Sequence, residues 1–238
     1  LHVMHAQQLF LGGFQREGAA RLCQLIRTAE FLSESVDKHI WHMRVIRLRI
    51  LLASMLIETH QLPAAATVMA DLALTLQAMI THDPSVHLML TRLYLALGDI
   101  QHARSALDEA NNKCTEPTSD MAASIATHEA LFHYTIRPHE PYNFPQGTES
   151  FEASTNNQAL TNTMALGALL RGDIVQSIQL LERILQEHPI VVASSKALAH
   201  NLLTLHSLGK REYVFYLFIQ RDGGKRACRA LPRSMGRR

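Results

Sequence analysis

Three cysteines in 238 residues, Cys23, Cys114 and Cys228, are odd in number and far apart. They do not form a disulfide framework or a zinc cage, and they point to buried thiols in a reducing compartment. Charged residues are also scarce at 18%, while hydrophobic residues reach 47%. A disordered chain needs the reverse balance, so disorder throughout is excluded. Gly 11 and Pro 8 are too few for collagen-like or linker-dominated sequence. Long apolar runs are missing: the longest, Ile50–Ile57 and Val214–Ile219, fall far short of the roughly 18–20 residues of a membrane span. The opening residues Leu1–Ala6 lack the basic head and apolar run of a signal peptide. The chain starts without methionine, so residues are expected to precede Leu1. A cytoplasmic location is the default expectation.

Period-two patterning is lacking too, so no strand is expected. Apolar residues recur at three and four positions almost throughout, which puts one apolar stripe on each of a series of helices. From Trp41 the stripe is Val45, Leu48, Leu52, Met55 and Leu56. Over 64–80 it is Val68, Leu72, Leu76 and Met79, until Asp83-Pro84 stops the helix. Further helices are predicted over 86–97, 100–111, 121–136, 157–171, 174–187 and 192–207. A polar stretch fills 112–120, and the proline-rich segment 137–147 is a loop. Helices paired through short turns make an array of α-hairpins.

Aligning Gly98 with Gly172 exposes an internal repeat. Eight residues before each glycine stands a bulky residue (Leu90, Met164), and seven before, a small one (Thr91, Ala165). Five after comes another small residue (Ala103, Ser177), then core residues at nine and twelve (Leu107 and Ala110, Leu181 and Ile184). Pro189 closes the second unit. The register fits His60, with Leu52, Ala53, Ala65, Met69 and Leu72, and more weakly Phe14, with Ala19, Cys23 and Ile26. Small residues at facing positions let two helices of a hairpin approach closely, and bulky ones fill the groove to the next hairpin. The turns are 38 and 74 residues apart, near one and two units of the ~34-residue tetratricopeptide (TPR) repeat. The double step implies a degenerate middle repeat. The expectation is all-α: a TPR-like right-handed solenoid of about 4–5 repeats over 1–219, with Tyr94 also at a repeat-defining position. An irregular helical bundle is the competing architecture.

Motifs of reactive chemistry are near misses. His128 and His133 flank Glu129 but stand five apart, about 500° around a helix, where a zinc helix needs four. His39 and His42 are one turn apart, without a carboxylate or cysteine placed beside them. The stretch 12–18 (GGFQREG) has neither a phosphate-loop lysine nor dinucleotide spacing, and no serine elbow occurs. Asp108, Glu109 and Glu182 read as polar helix faces. No catalytic, metal or cofactor residue is assigned, and the protein is expected not to be an enzyme. A carboxylate clamp for an acidic peptide terminus would need Lys, Asn and Arg on successive first helices. Asn162 fits such a clamp, while the corresponding surfaces of the other first helices offer Arg47, Arg49 and Arg92 without the lysine–asparagine set.

Two stretches go beyond the generic repeat: Leu93–Ala103, and Asn156-Asn157 through Leu169–Asp173, Leu180–Glu182 and Glu187–Pro189 to Ala199–Leu205. Their order resembles the C-terminal TPR region of the TRAPP complex subunit 12 family, over roughly 52–208 and best from Asn156. In two places the chain departs from it: the middle repeat's second helix gives way to 137–147, and the sequence diverges after Leu208. The resemblance implies a non-catalytic scaffold subunit of a vesicle-tethering complex active in ER-to-Golgi transport and autophagy. Its partners would be other subunits, with at most peripheral attachment at ER–Golgi membranes. A TPR co-chaperone or adaptor binding a peptide segment is the alternative.

The formal net charge is +2. Residues 220–238 hold seven basic side chains against Asp222, leaving the body with 16 basic and 20 acidic residues. The basic bias therefore belongs to a tail expected to be disordered, either a lipid- or RNA-binding arm or a read-through intron. It gives the solenoid no nucleic-acid partner.

Overall fold

The computed structural model describes residues 2–34, 37–77, 83–114, 118–143, 157–195 and 197–208. The expectations for Met79, Asn156, residues 144–147, Cys228 and the tail from 220 lie outside them. The described chain is all-helical, without a strand. It divides into two compact units, Leu1–Pro117 and Thr118–Arg238.

The first unit holds α1 (His2–Leu11), α2 (Gln15–Ser33), α3 (Lys38–Glu58), α4 (Leu62–Gln77), α5 (Pro84–Leu97) and α6 (Ile100–Lys113). Each packs mainly on its sequence neighbour: α1 on α2, α2 on α3, α3 on α4, α5 on α6. Helix α3 also meets α5. Local chemistry explains the boundaries. Asp83 caps α5 by accepting from the Ser85 amide, with Pro84 in the first turn where its missing N–H costs nothing. Asp99 caps α6 through the His102 amide. The predicted stripe of α3 is buried at Val45, Leu52, Met55 and Leu56, and it joins a core with Ala6, Leu22, Ile26 and Ala65.

The second unit holds α7 (Ser119–Ile136), α8 (Asn157–Leu170), α9 (Ile174–Glu187) and α10 (Pro189–Ser194), and residues 197–208 are helical too. Here α7 packs on α8, α8 on α9 and α9 on α10. The single helix expected over 192–207 is two pieces, parted at Ser195. Pro189 opens α10 instead of merely ending the previous unit. Leu198 and Leu205 of the later piece complete a core with Ala165, Leu181, Ile184 and Val192.

Four hairpins close in the same way. Gly13, His60, Gly98 and Gly172 all have positive φ, between 59° and 90°. At each, the residue's own N–H bonds three back and the next N–H bonds five back. For Gly98 these are Gly98 N to Leu95 O (3.1 Å) and Asp99 N to Tyr94 O (2.9 Å). For Gly172 they are Gly172 N to Leu169 O and Asp173 N to Ala168 O (both 2.9 Å). This is the Schellman ending, which satisfies the last carbonyls of one helix before the next begins. It also corrects the first register. The pivot is Gly13, one residue before Phe14. Ala6, Gly18 and Leu22 therefore take the buried places, while Ala19 and Cys23 are only partly covered.

With that shift the crossings agree. Seven residues before each pivot stand Ala6, Ala53, Thr91 and Ala165, and five after stand Gly18, Ala65, Ala103 and Ser177, all buried. At nine after, Leu22, Met69, Leu107 and Leu181 are buried as well. A Cβ at Gly18 would sit 2.9 Å from the Ala6 carbonyl, so α1 and α2 touch backbone to backbone. In the α8–α9 hairpin the Ser177 hydroxyl donates across the crossing to the Ala165 carbonyl at 2.7 Å.

Candidate functional site

Exposed apolar surface and unspent polar groups are the resources a scaffold offers a partner, and the hairpins create both. One groove of about 650 Å³ runs between α4 and the α5–α6 turn. Leu62, Ala66, Ala70 and Leu74 form its α4 wall, at the four-residue spacing of one helix face. Tyr94 and Leu97 form the opposite wall, and Asp99 and His102 its polar rim. Leu74 is 65% exposed, so this face keeps apolar area open to solvent. The rim is ordered: His102 Nδ1 donates to Asp99 Oδ2 at 2.7 Å, and its ring stacks on Tyr94 with centroids 5.3 Å apart. Burial, then the Asp99 charge, raise the Tyr94 phenol above its usual range. The phenol therefore stays neutral.

A smaller groove of about 300 Å³ lies between α1 and α3, with Met4, Leu11 and Leu51 against Gln8 and Glu58.

Most of the repeat-defining residues are covered. Leu52, Ala53, Ala65, Met69, Leu90, Tyr94, Ala103, Leu107, Ala110, Ala165, Ser177, Leu181 and Ile184 are buried, and Met164 is half-buried. Gly98 and Gly172 are the pivots. The clamp candidates differ in their surroundings, each within its own unit. Arg49 is spent internally: its guanidinium donates to Glu30 Oε1 on α2 at 2.7 Å, and to the Asp71 carbonyl and the Thr75 hydroxyl on α4. Asn162 Oδ1 accepts from Asn201 Nδ2 at 3.0 Å, tying α8 to residues 197–208. Arg47 and Arg92 are exposed.

The histidines of the near-miss motif also face different partners. His128 Nδ1 donates to the Ser124 carbonyl (2.6 Å) and His133 Nε2 to the Glu140 carbonyl (3.2 Å). His42 Nδ1 donates to the Lys38 carbonyl. No group of three metal-ligating side chains gathers among the described residues. Among them, too, no helix is long and apolar enough to cross a membrane. Cys23 and Cys114 are free and half-buried.

Two further contacts escaped sequence reasoning. In the first, residues 137–143 fold back as a strap on their own helix. Tyr142 Oη donates to Glu129 Oε2 on α7 at 2.9 Å, and His139 Nδ1 donates to the Leu170 carbonyl at the end of α8 at 3.1 Å. Burial first, then the Glu129 charge and this bond, push the Tyr142 phenol far above its ordinary range. Beneath, Tyr134 lies over Gly167, where a Cβ would meet its ring at 2.2 Å. The prolines announced the loop but not its anchors. The second contact joins His87 to Lys113, 26 residues apart, and no local pattern signals it.

Compared with known proteins, the chain matches no family model, no curated protein and no solved structure.

Proposed function

We propose that the chain is a TPR-like solenoid acting as a non-catalytic scaffold subunit of the TRAPP vesicle-tethering complex in ER-to-Golgi transport and autophagy. The observation that carries the proposal is the fourfold recurrence of one hairpin: a left-handed pivot flanked by buried small residues seven before and five after. Hairpins so alike stack by repetition, and a repeat array offers long faces to a partner's helix or extended segment without internal rearrangement. The sequence order from Asn156 to Leu205 directs the choice of complex. In this reading the protein is cytoplasmic, at most peripheral at ER–Golgi membranes, and needs no cofactor. The peptide-clamp alternative gains no support, because Asn162 and Arg49 are engaged within the fold.

Affinity capture of the tagged chain from its own cells, read by quantitative mass spectrometry, tests this reading. TRAPP subunits should be enriched over a tag-only control. A chain recovered without them contradicts it.

A further inference from the structure

We propose that His87 and Lys113 form a proton-operated latch, which ties the start of α5 to the end of α6 while His87 is neutral and releases when His87 takes a proton. Two basic side chains do not ordinarily meet in a partly buried site. Here Lys113 Nζ lies 2.9 Å from His87 Nε2, and His87 is only 8% exposed. An ammonium has donors and no lone pair, so this contact requires the Nε2 lone pair and leaves the imidazole proton on Nδ1. A second proton would abolish the acceptor and set two cations side by side in a partly buried site.

The charges around the ring are few. From α6, Lys113 opposes protonation and Glu109 favours it; from the cap of α5, Asp83 favours it. Helix α3, which also packs on α5, contributes none among the described residues. Glu109 is spread between duties, with an oxygen 3.8 Å from Lys113 Nζ. Burial is the largest influence and Lys113 the next, and together they hold the imidazole below its ordinary 6.5. The sign follows. As pH falls through 6.5, the opened hairpin binds the proton before the closed one does, so closure loses ground. Above that value the latch is at full strength, and below the closed-state value this group adds no further loss.

Hydrogen exchange of the full-length chain tests the latch, corrected for intrinsic rates and followed at residues 104–113 from about pH 7.5 to about pH 5.5. Wild type should lose protection there several-fold at the lower pH. His87→Gln, whose amide oxygen still accepts from Lys113 but cannot titrate, should remain flat. An equal pH response in His87→Gln, or none in wild type, overturns the proposal. Imidazole NMR titration of wild type supplies a readout that does not depend on the variant folding. A His87 midpoint below 6.5, moving upward in Lys113→Met, supports the latch, and a midpoint at or above it in wild type, or one unmoved by Lys113→Met, rejects it.

Discussion

His60 stands where three other hairpins use glycine, and its φ of 59° puts a Cβ in the left-handed region. That conformation costs an ordinary residue roughly 1–2 kcal/mol, part of which glycine returns through the freedom of its unfolded chain. His60→Gly should therefore stabilise the first unit by about 0.5–1 kcal/mol. At Gly98 and Gly172 an added Cβ meets nothing within 4 Å. Alanine there should cost about 1–2 kcal/mol through backbone conformation alone. Chemical denaturation of the three variants checks both signs, and equal effects at all pivots would disprove their equivalence to glycine sites. The crossings behave differently. Ala103 is fully buried between α5 and α6, so Ala103→Phe should overpack the hairpin and cost about 1–3 kcal/mol. An unchanged melting temperature would mean that the crossing is misplaced.

Between elements, polar ties supplement apolar packing. Arg49 spans three helices from one guanidinium, and its side chain is 17% exposed against 41% for Glu30. Much of the ion pair is therefore screened, and the carbonyl and hydroxyl contacts carry more of the tie. Arg49→Met should cost about 1 kcal/mol, most of it retained when Glu30 is already Gln. A double-mutant cycle measures the split. In the second unit Tyr142→Phe should remove the Glu129 contact and free the strap. Proteolysis at 137–143 should quicken several-fold while α7 keeps its exchange protection. If α7 loses protection as well, the strap is part of the helix's own stability.

On the scale of the whole chain, period and turn chemistry announced the all-helical class and the hairpin turns in advance. Stripes at three and four residues located the helices, because an amphipathic helix writes its buried face into sequence. Offsets around Gly98, Gly172 and His60 located the crossings, because only small residues fit there. At the first hairpin the offsets point to Phe14, one residue beyond the Gly13 pivot, because Ile26 is buried at the place that register predicts. Ser195 hid the break after α10, as serine is tolerated inside a helix and also caps one; its hydroxyl accepts from the Leu198 amide at 3.4 Å. The strap and the His87–Lys113 contact were illegible for another reason. Each joins residues distant in sequence through single side chains, with no periodicity behind them.

Binding is the central claim, and reconstitution tests it most directly. The purified full-length chain should be mixed with recombinant TRAPP subunits and run on size-exclusion chromatography with light scattering. The account predicts a stoichiometric complex that elutes ahead of every component. Separate elution of the folded chain under the same conditions contradicts it.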